Sequence, residues 1–435
     1  MKPINVGLLG IGTVGGGVFA VLERNADEIA RRAGREIRIT VVADRDIERA
    51  RRLTGGTAKL TDDAFSVTRD PEIDIVVELI GGCTVAKDLA LSAIENGKHF
   101  VTANKALLAV HGNEIFAAAR RRDVMVAFEA AVAGGVPIIK ALRESLSANR
   151  IEWVAGIING TTNFILSEMR DKGLPFAEVL KEAQRMGYAE ADPTFDIEGV
   201  DAAHKATIMS AIAFGIPMQF DKAYIEGISQ LESVDITYAG QLGYRIKLLG
   251  IVRRREQGVE LRVHPTLIPA RRLLANVEGP MNAVLVHGDA VGATLYYGKG
   301  AGAEPTASAV IADLVDITRL HTADPEHRVP HLAFQPDQMQ DVPVLPIGET
   351  VTSYYLRMRV LDEPGVLADI TRILADSNIS IDAMIQREAG EGESQTDIII
   401  LTHQTVEKNA VAAIARIESL GSVQGKVTRL RLETL

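Results

Sequence analysis

Short apolar runs separated by amphipathic stretches dominate the first third of the chain. Ile4–Leu9, Ile37–Ala43, Asp74–Ile80, His99–Thr102 and Val124–Phe128 are rich in β-branched residues, too short for helices, and mostly closed by Gly, Asp or Asn. They predict buried strands. Between them, Val14–Arg32, Ala86–Glu95 and Ala106–Arg122 repeat apolar residues at helical spacing. Strands alternating with helices predict a parallel, doubly wound α/β sheet over residues 1–140.

The rhythm changes near Ile151. Helical patterns at Thr162–Lys172, Phe176–Met186 and Ala202–Phe214 mix with strand-like runs at Ile151–Ile158, Val259–Leu267 and Asn282–His287. This predicts a mixed α+β domain over 141–302. A helix at Ala307–Thr318 is expected to return to the first domain and complete it over about 303–320. Residues 321–350 carry five prolines and little periodicity, the composition of a semi-rigid linker. His321, His327 and His331 fall there without regular carboxylate partners and are expected to be solvated rather than metal ligands. The remainder, 351–435, reads as strand Tyr354–Val360, helix Gly365–Ser377, strands Ile379–Gln386 and Thr396–Thr402, helix Val406–Ser419 and strand Val423–Leu432. That order is the ferredoxin-like βαββαβ. Its edge strands and open face are expected to pair with a second copy, giving a homodimer or homotetramer. Its removal is expected to spare basal chemistry.

Composition narrows the class. At 435 residues, 47% hydrophobic and 24% charged, the chain has the balance of a soluble protein of two or three domains. A net charge of −10 argues against nucleic acid or an anionic membrane as partner. The single cysteine, Cys83, excludes intrachain disulfides and Cys-based zinc, and a reducing, cytoplasmic setting is expected. Cys83 follows Gly81-Gly82 with no basic neighbour to lower its pKa, so it reads as a small neutral turn residue. No signal-peptide core and no transmembrane span are evident.

The chemistry starts at Gly10-Ile11-Gly12-Thr13-Val14-Gly15, a G-x-G-x-x-G between an apolar strand and a helix, the context a dinucleotide site requires. Gly10 permits the tight turn, Gly12 admits a pyrophosphate and Gly15 lets helix and strand pack closely. Asp44 ends the second predicted strand, where a carboxylate would bind the ribose hydroxyls of NAD, whereas the adjacent Arg45 would pair with the extra phosphate of NADP. The two argue opposite ways, and both cofactors are expected to be accepted. Gly298–Gly302 precedes a helix with Pro305 in its first turn; the cluster suits either a close approach to nicotinamide or a hinge.

Reduction of a carbonyl leaves an alkoxide that needs a proton. The acidic stretch from Gly187 to Lys205 offers Asp201 and Lys205, at i and i+4 of a predicted helix and therefore on one face. That spacing is equally the commoner surface ion pair. His204 faces elsewhere and reads as structural. Lys105 stands just past a predicted parallel strand, at the end of the sheet where ligands bind.

Together, Gly10–Gly15, Val101–Lys105, Glu129–Pro137, Asn159–Asn163, Gly187–Asp192, Asp201–Lys205 and Gly300–Ser308 resemble the homoserine dehydrogenase family over most of residues 4–320. The resemblance implies NAD(P)-dependent reduction of aspartate 4-semialdehyde to homoserine, with Lys205 the proton donor. Lys105 would contact cofactor and substrate, and Gly187, Glu190 and Asp201 would bind homoserine. Ile11, Thr13, Val14 and Gly302 match cofactor contacts. A monovalent cation, Na or K, is implied at Glu129, Val132, Gly134 and Val136. The C-terminal segment resembles an ACT domain, with Asp362-Glu363-Pro364-Gly365 at its first strand–helix junction; an amino-acid effector is implied, threonine first. Two other readings stand beside this one, a different Rossmann-type amino-acid dehydrogenase and a catalytically inactive sensor.

Overall fold

A computed structural model describes residues 2–387 and 394–435. The first domain runs β1 (Ile4–Leu9), α1 (Thr13–Arg24), α2 (Ala26–Ala33), β2 (Ile37–Ala43), α3 (Ile47–Thr54), β3 (Lys59–Thr61), α4 (Ala64–Arg69), β4 (Ile75–Glu78), α5 (Thr84–Glu95), β5 (His99–Thr102), α6 (Lys105–Arg121) and β6 (Val126–Ala127). Its strands pair in parallel in the order β3-β2-β1-β4-β5-β6. The order reverses between β1 and β4, which creates the crevice that a doubly wound sheet offers a ligand. The single helix expected over Val14–Arg32 is broken at Asn25, whose φ of −110° and ψ of 21° leave the helical region. Asparagine side chains compete with the helical backbone, and α2 restarts to bury Ile29 and Ala33. Helix α3, about two turns with charged residues at half of its eight positions, was not predicted.

The second domain continues with α7 (Ile138–Lys140), β7 (Ile151–Ile157), α8 (Gly160–Lys172), α9 (Phe176–Arg185), α10 (Thr194–Ile197), α11 (Val200–Phe214), β8 (Tyr224–Ile225), α12 (Ser233–Gln241), β9 (Tyr244–Arg254), β10 (Val259–Pro269), β11 (Met281–Gly288) and β12 (Gly292–Lys299). Strands β9 and β12 were not predicted. In β9 the charged Arg245 and Lys247 interrupt the apolar pattern, yet Lys247 is buried, donating to Asn163 Oδ1 at 3.0 Å and the Val277 carbonyl at 2.6 Å. Helix α13 (Ala303–Leu320) returns to the first domain as expected. Ala307, Val310 and Leu314 share a core with Val18 and Leu22 of α1. Gly17 has no alternative at that crossing, since a Cβ there would lie 2.5 Å from the Ala303 carbonyl oxygen.

The last segment adds β13 (Val351–Leu361), α14 (Val366–Asp376), β14 (Ile381–Gln386), β15 (Gln395–Thr402), β16 (Thr405–Val406), α15 (Glu407–Glu418) and β17 (Val423–Leu432). It has the expected βαββαβ plan but is not a free-standing module. Its sheet joins that of the second domain, in the order β12-β11-β7-β9-β10-β17-β13-β15-β14, through parallel pairing of Thr266 with Arg431 and Leu267 with Leu432. Helices α14 and α15 cover one face. The other face, with Tyr355, Ile399, Leu401 and Leu430, is part of the second domain's core. The open face and one of the two edges expected to seek a second copy are therefore used within the chain.

The seam is charged and buried. Arg262 of β10 meets Glu260 at 3.0 Å, Glu433 at 2.5 Å and His264 at 2.7 Å. Arg431 of β17 meets Glu407 at 2.6 Å and Glu226 at 2.9 Å. Both arginines are fully buried. The proline-rich segment is packed at several points rather than solvated throughout, although His327 is exposed as expected. Val259 and Leu345 exchange backbone hydrogen bonds with 321–350 and β10 respectively, Val259 N to Pro343 O at 3.0 Å and Leu345 N to Val259 O at 2.8 Å. His331 Nε2 accepts from Val126 N at 3.0 Å and its ring stacks on Phe116, while His321 stands edge-on to His99. Proline content removes regular structure, not packing.

Candidate active site

The glycine loop has the geometry its sequence requires. Gly10 has φ +91°, and a Cβ there would meet the Leu79 carbonyl at 3.0 Å. A Cβ on Gly15 would lie 2.1 Å from the Gly10 oxygen, so only glycine lets α1 approach β1. Gly12 faces open space, with Arg49 of α3 the one group near its missing side chain, at 3.8 Å. An open, glycine-floored helix N-terminus fits a pyrophosphate. Asp44 is less free than expected, accepting from Ile11 N at 2.8 Å and Asp46 N at 2.9 Å. Arg45 is exposed beside it. Thr13 opens α1, and Val14 lines a cavity of about 390 Å³ with Gly81, Asn104, Lys105 and Phe195.

Across that cavity lies the acid–base cluster. Helix α11 begins after Gly199, in the left-handed region at φ 83°, which places Asp201 in the first turn and Lys205 one turn on. Nearly the whole helix is buried, with Asp201 at 4% and Lys205 at 11% side-chain exposure, so the pair is not the surface ion pair that spacing alone allowed. Lys205 Nζ donates to Asp201 Oδ2 at 2.6 Å and to the Ile158 carbonyl at 2.7 Å. Lys105, the first residue of α6, reaches the other carboxylate oxygen, with Nζ 3.2 Å from Asp201 Oδ1. One buried carboxylate thus bridges two lysines. Burial alone would push the Asp201 carboxyl up, but the two ammonium charges and the Asn159 amide hold it well below the ordinary range. Burial, helped by the Lys105 charge, lowers the Lys205 ammonium from 10.5 against the pull of Asp201.

Two members of the cluster were missed or only grazed by the sequence. Asn159 Oδ1 caps α8 by accepting from Thr162 N at 2.8 Å, and its Nδ2 donates to Asp196 Oδ1 at 2.7 Å and Asp201 Oδ2 at 2.8 Å. A capping asparagine before a predicted helix is a readable signal; its second task is not. Asp196 is raised by burial first and by the Asp201 charge second. Phe195 stands over Lys105, 5.7 Å from Nζ to ring centroid, and packs on His204. His204 also stacks on Phe220 at 4.2 Å and is lowered to about 4 by burial, so it is structural and neutral. Asn159→Ala should cost about 1 kcal/mol of stability for the lost cap and lower kcat, whereas Asn159→Ser should restore stability without restoring kcat. Thermal melts beside steady-state rates separate the two effects; a serine variant with full activity would limit Asn159 to capping.

Gly187, with φ 78°, and Glu190 lie on an exposed turn after α9 that the Thr161 hydroxyl ties down through the Tyr188 carbonyl, at 2.6 Å. Glu190 itself is exposed, without a side-chain partner among the described residues. Gly302, at φ 130°, precedes α13. Gly300 packs directly on Asn282, where a Cβ would come within 2.1 Å, and its carbonyl abuts Gly134. The glycine cluster is thus close-packed at Gly300. Around it, Ala133 and Gly134 adopt left-handed φ values of 55° and 50°, and the buried Asn282 Oδ1 lacks a hydrogen-bond partner. Glu129 is buried, its two carboxylate oxygens accepting from Ile139 N at 3.0 Å and Lys140 N at 2.8 Å. Its own N–H donates to the buried Asp313 at 2.8 Å. Two buried carboxylates, an orphaned amide oxygen and a turned backbone suit a small cation. Cys83 caps α5 without a side-chain hydrogen bond, and burial with the Glu78 charge raises its thiol. No helix among the described residues is long and apolar enough to cross a membrane.

Comparison with known proteins places this geometry. Residues 10–129 match the family model described as homoserine dehydrogenase, NAD binding domain, residues 137–315 match homoserine dehydrogenase, and residues 354–421 match the ACT domain. The homoserine dehydrogenase of Pseudomonas aeruginosa is 63% identical over 435 residues, 100% of both chains. Among solved structures, a homoserine dehydrogenase from Thiobacillus denitrificans is 71% identical with a TM-score of 0.96, covering 100% of this chain and 99% of that one. One from S. aureus is 33% identical with a TM-score of 0.77 over 100% of both.

Proposed function

The chain belongs to the homoserine dehydrogenase family, and on that premise we propose that Lys205 protonates the carbonyl oxygen of aspartate 4-semialdehyde as it becomes homoserine. The observation that carries this role is the buried Lys205–Asp201–Lys105 bridge at the mouth of the dinucleotide crevice. When bound, the nicotinamide supplies the hydride. The chain supplies the rest. Lys205 donates the proton to the oxygen that gains charge, and its lowered pKa makes the transfer easier. Asp201 keeps that ammonium aimed while balancing Lys105, whose charge stabilises the developing alkoxide. Glu190, exposed and without a side-chain partner among the described residues, is available to the substrate ammonium, with the Gly187 backbone beside it. A catalytically inactive sensor would have no use for this cluster.

Gly10, Ile11, Gly12, Thr13, Val14, Gly15, Lys105 and Gly302 would hold the cofactor. Asp44 reads the ribose and Arg45 the 2′-phosphate of NADP; Arg49, near Gly12, adds a charge that sequence alone did not single out. Arg45→Ala should therefore weaken NADP several-fold more than NAD, as read by KM for each. Equal losses would remove Arg45 from phosphate recognition. Glu129, Val132, Gly134 and Val136 would hold a monovalent cation, with Asn282 Oδ1 nearby. An amino-acid effector, threonine first, would bind at the Asp362–Gly365 loop, where Gly365 turns at φ 96° into α14. The edge still open for a second copy is β14, which favours a homodimer or homotetramer.

The test is reduction of NADP⁺ or NAD⁺ driven by L-homoserine. Turnover with homoserine and not with serine or threonine is expected; the reverse preference would replace the substrate assignment.

A further inference from the structure

Glu78, the last residue of β4, is fully buried and takes no part in the lysine cluster. Its Oε1 accepts from Ile80 N at 2.8 Å and Gly81 N at 2.9 Å, and its Oε2 accepts from the Thr102 hydroxyl at 2.7 Å. No lysine, arginine or histidine pairs with it among the described residues. All three are hydrogen bonds that the carboxylate accepts. Its charge reaches the next loop, where it helps to keep the Cys83 thiol protonated.

Its place in the sheet gives that charge a target. Strand β4 lies between β1 and β5, and Glu78 is in register with Thr102 at the ends of β4 and β5. The loops that follow, through Gly81 and Asn104, bound the cavity that also holds Val14 and Lys105. A dinucleotide with its pyrophosphate on α1 and its adenosine half beside Asp44 would extend its nicotinamide half toward this cavity. Glu78, buried at the end of β4, would then lie under the loops that bound that half.

We propose that the Glu78 carboxylate tunes the bound cofactor, stabilising the positively charged oxidised nicotinamide over the neutral reduced ring and so making the reduced form a stronger hydride donor. The balance is simple. The hydride would leave the reduced ring for the carbonyl carbon, the ring would gain a positive charge, and Glu78 would stand at the strand end beneath the loops that bound the cavity. Charges near a cofactor ring are one of the levers by which a protein sets its electronics. This rests on the reading of the cavity as the nicotinamide half of the cofactor site.

The test uses the full-length protein and two dissociation constants, NADPH by its fluorescence and NADP⁺ by competition. Glu78→Gln keeps the shape and an acceptor for Ile80 and Gly81 while removing the charge. It should weaken NADP⁺ on the order of tenfold, the effect of one charge across a few ångströms of partly screened protein, and change NADPH less than about twofold. Cys83→Lys leaves Glu78 in place and sets a cation beside it. It should move the ratio of the two constants in the same direction, and it decides the matter if the glutamine variant does not fold. A ratio within about twofold of wild type in every variant that folds, or equal weakening of both forms, overturns the proposal. A wild-type protein that binds neither form would instead overturn the reading of the cavity.

Discussion

Lys205→Met is expected to lower kcat about 10²–10⁴-fold, the range for loss of a positioned general acid, while leaving the dissociation constant for NADPH within a factor of about three. The side chains are similar in length, so the buried space is filled. Asp201 keeps Lys105 at 3.2 Å and Asn159 at 2.8 Å, so its carboxylate is not abandoned in the core. The Ile158 carbonyl loses its donor, which should cost about 1–3 kcal/mol of stability, and a thermal melt measures that apart from the rate. Solvent water can still deliver the proton, which is why activity falls rather than vanishes. Near-wild-type turnover across pH would remove Lys205 from the proton path.

The second large effect concerns the C-terminal domain. Read from sequence, residues beyond the proline-rich segment look removable, and a chain ending at Gly348 should keep its chemistry and lose only regulation. The structure predicts otherwise. Ending there strips β17 from the edge of β10 and bares the second-domain face that Tyr355, Ile399 and Leu430 cover. It also takes Glu433 from Arg262, which is 1% exposed. Removing one partner of a buried ion pair costs about 3–5 kcal/mol, a large share of the roughly 5–15 kcal/mol that holds a domain together. Loop 226–228 feels the loss too, because Arg431 grips Glu226 while Ile228 N donates to the Ile197 carbonyl at 2.8 Å, four residues before Asp201. The truncated chain is therefore expected to be aggregated or to melt at least about 10 °C lower, with kcat reduced. A soluble truncated protein with the wild-type melting temperature and kcat would show that the seam is dispensable. Effector sensing is better examined in the whole chain, by Asp362→Ala.

What the sequence made legible follows from how local each signal is. Strands β1, β2, β5 and β17 lie on the residues their patterns predict, because a β-branched run closed by a turn residue needs no distant information. The glycine loop was readable for the same reason. Strand β9 was not, because Lys247 looks like a surface residue until Asn163 and Val277 supply partners from elsewhere in the chain. The union of β10 with β17 was invisible too, since two paired residues more than 160 positions apart leave no mark on either segment. The same division runs through the site. The spacing of Asp201 and Lys205 was plain, but their burial, and the arrival of Lys105 on the same carboxylate, are products of the packed domains.

The most direct test of the account is the pH dependence of the reductive step, followed by stopped-flow oxidation of NADPH with aspartate 4-semialdehyde from pH 6 to 10.5. Lys205 must carry its proton to donate it, and burial brings its pKa below 10.5. The rate should therefore hold at low pH and fall as pH rises through that lowered value, with homoserine oxidation rising over the same window. Lys205→Met should lose this dependence. A wild-type rate that stays flat to pH 10.5, or a fall that persists unchanged in Lys205→Met, would contradict it.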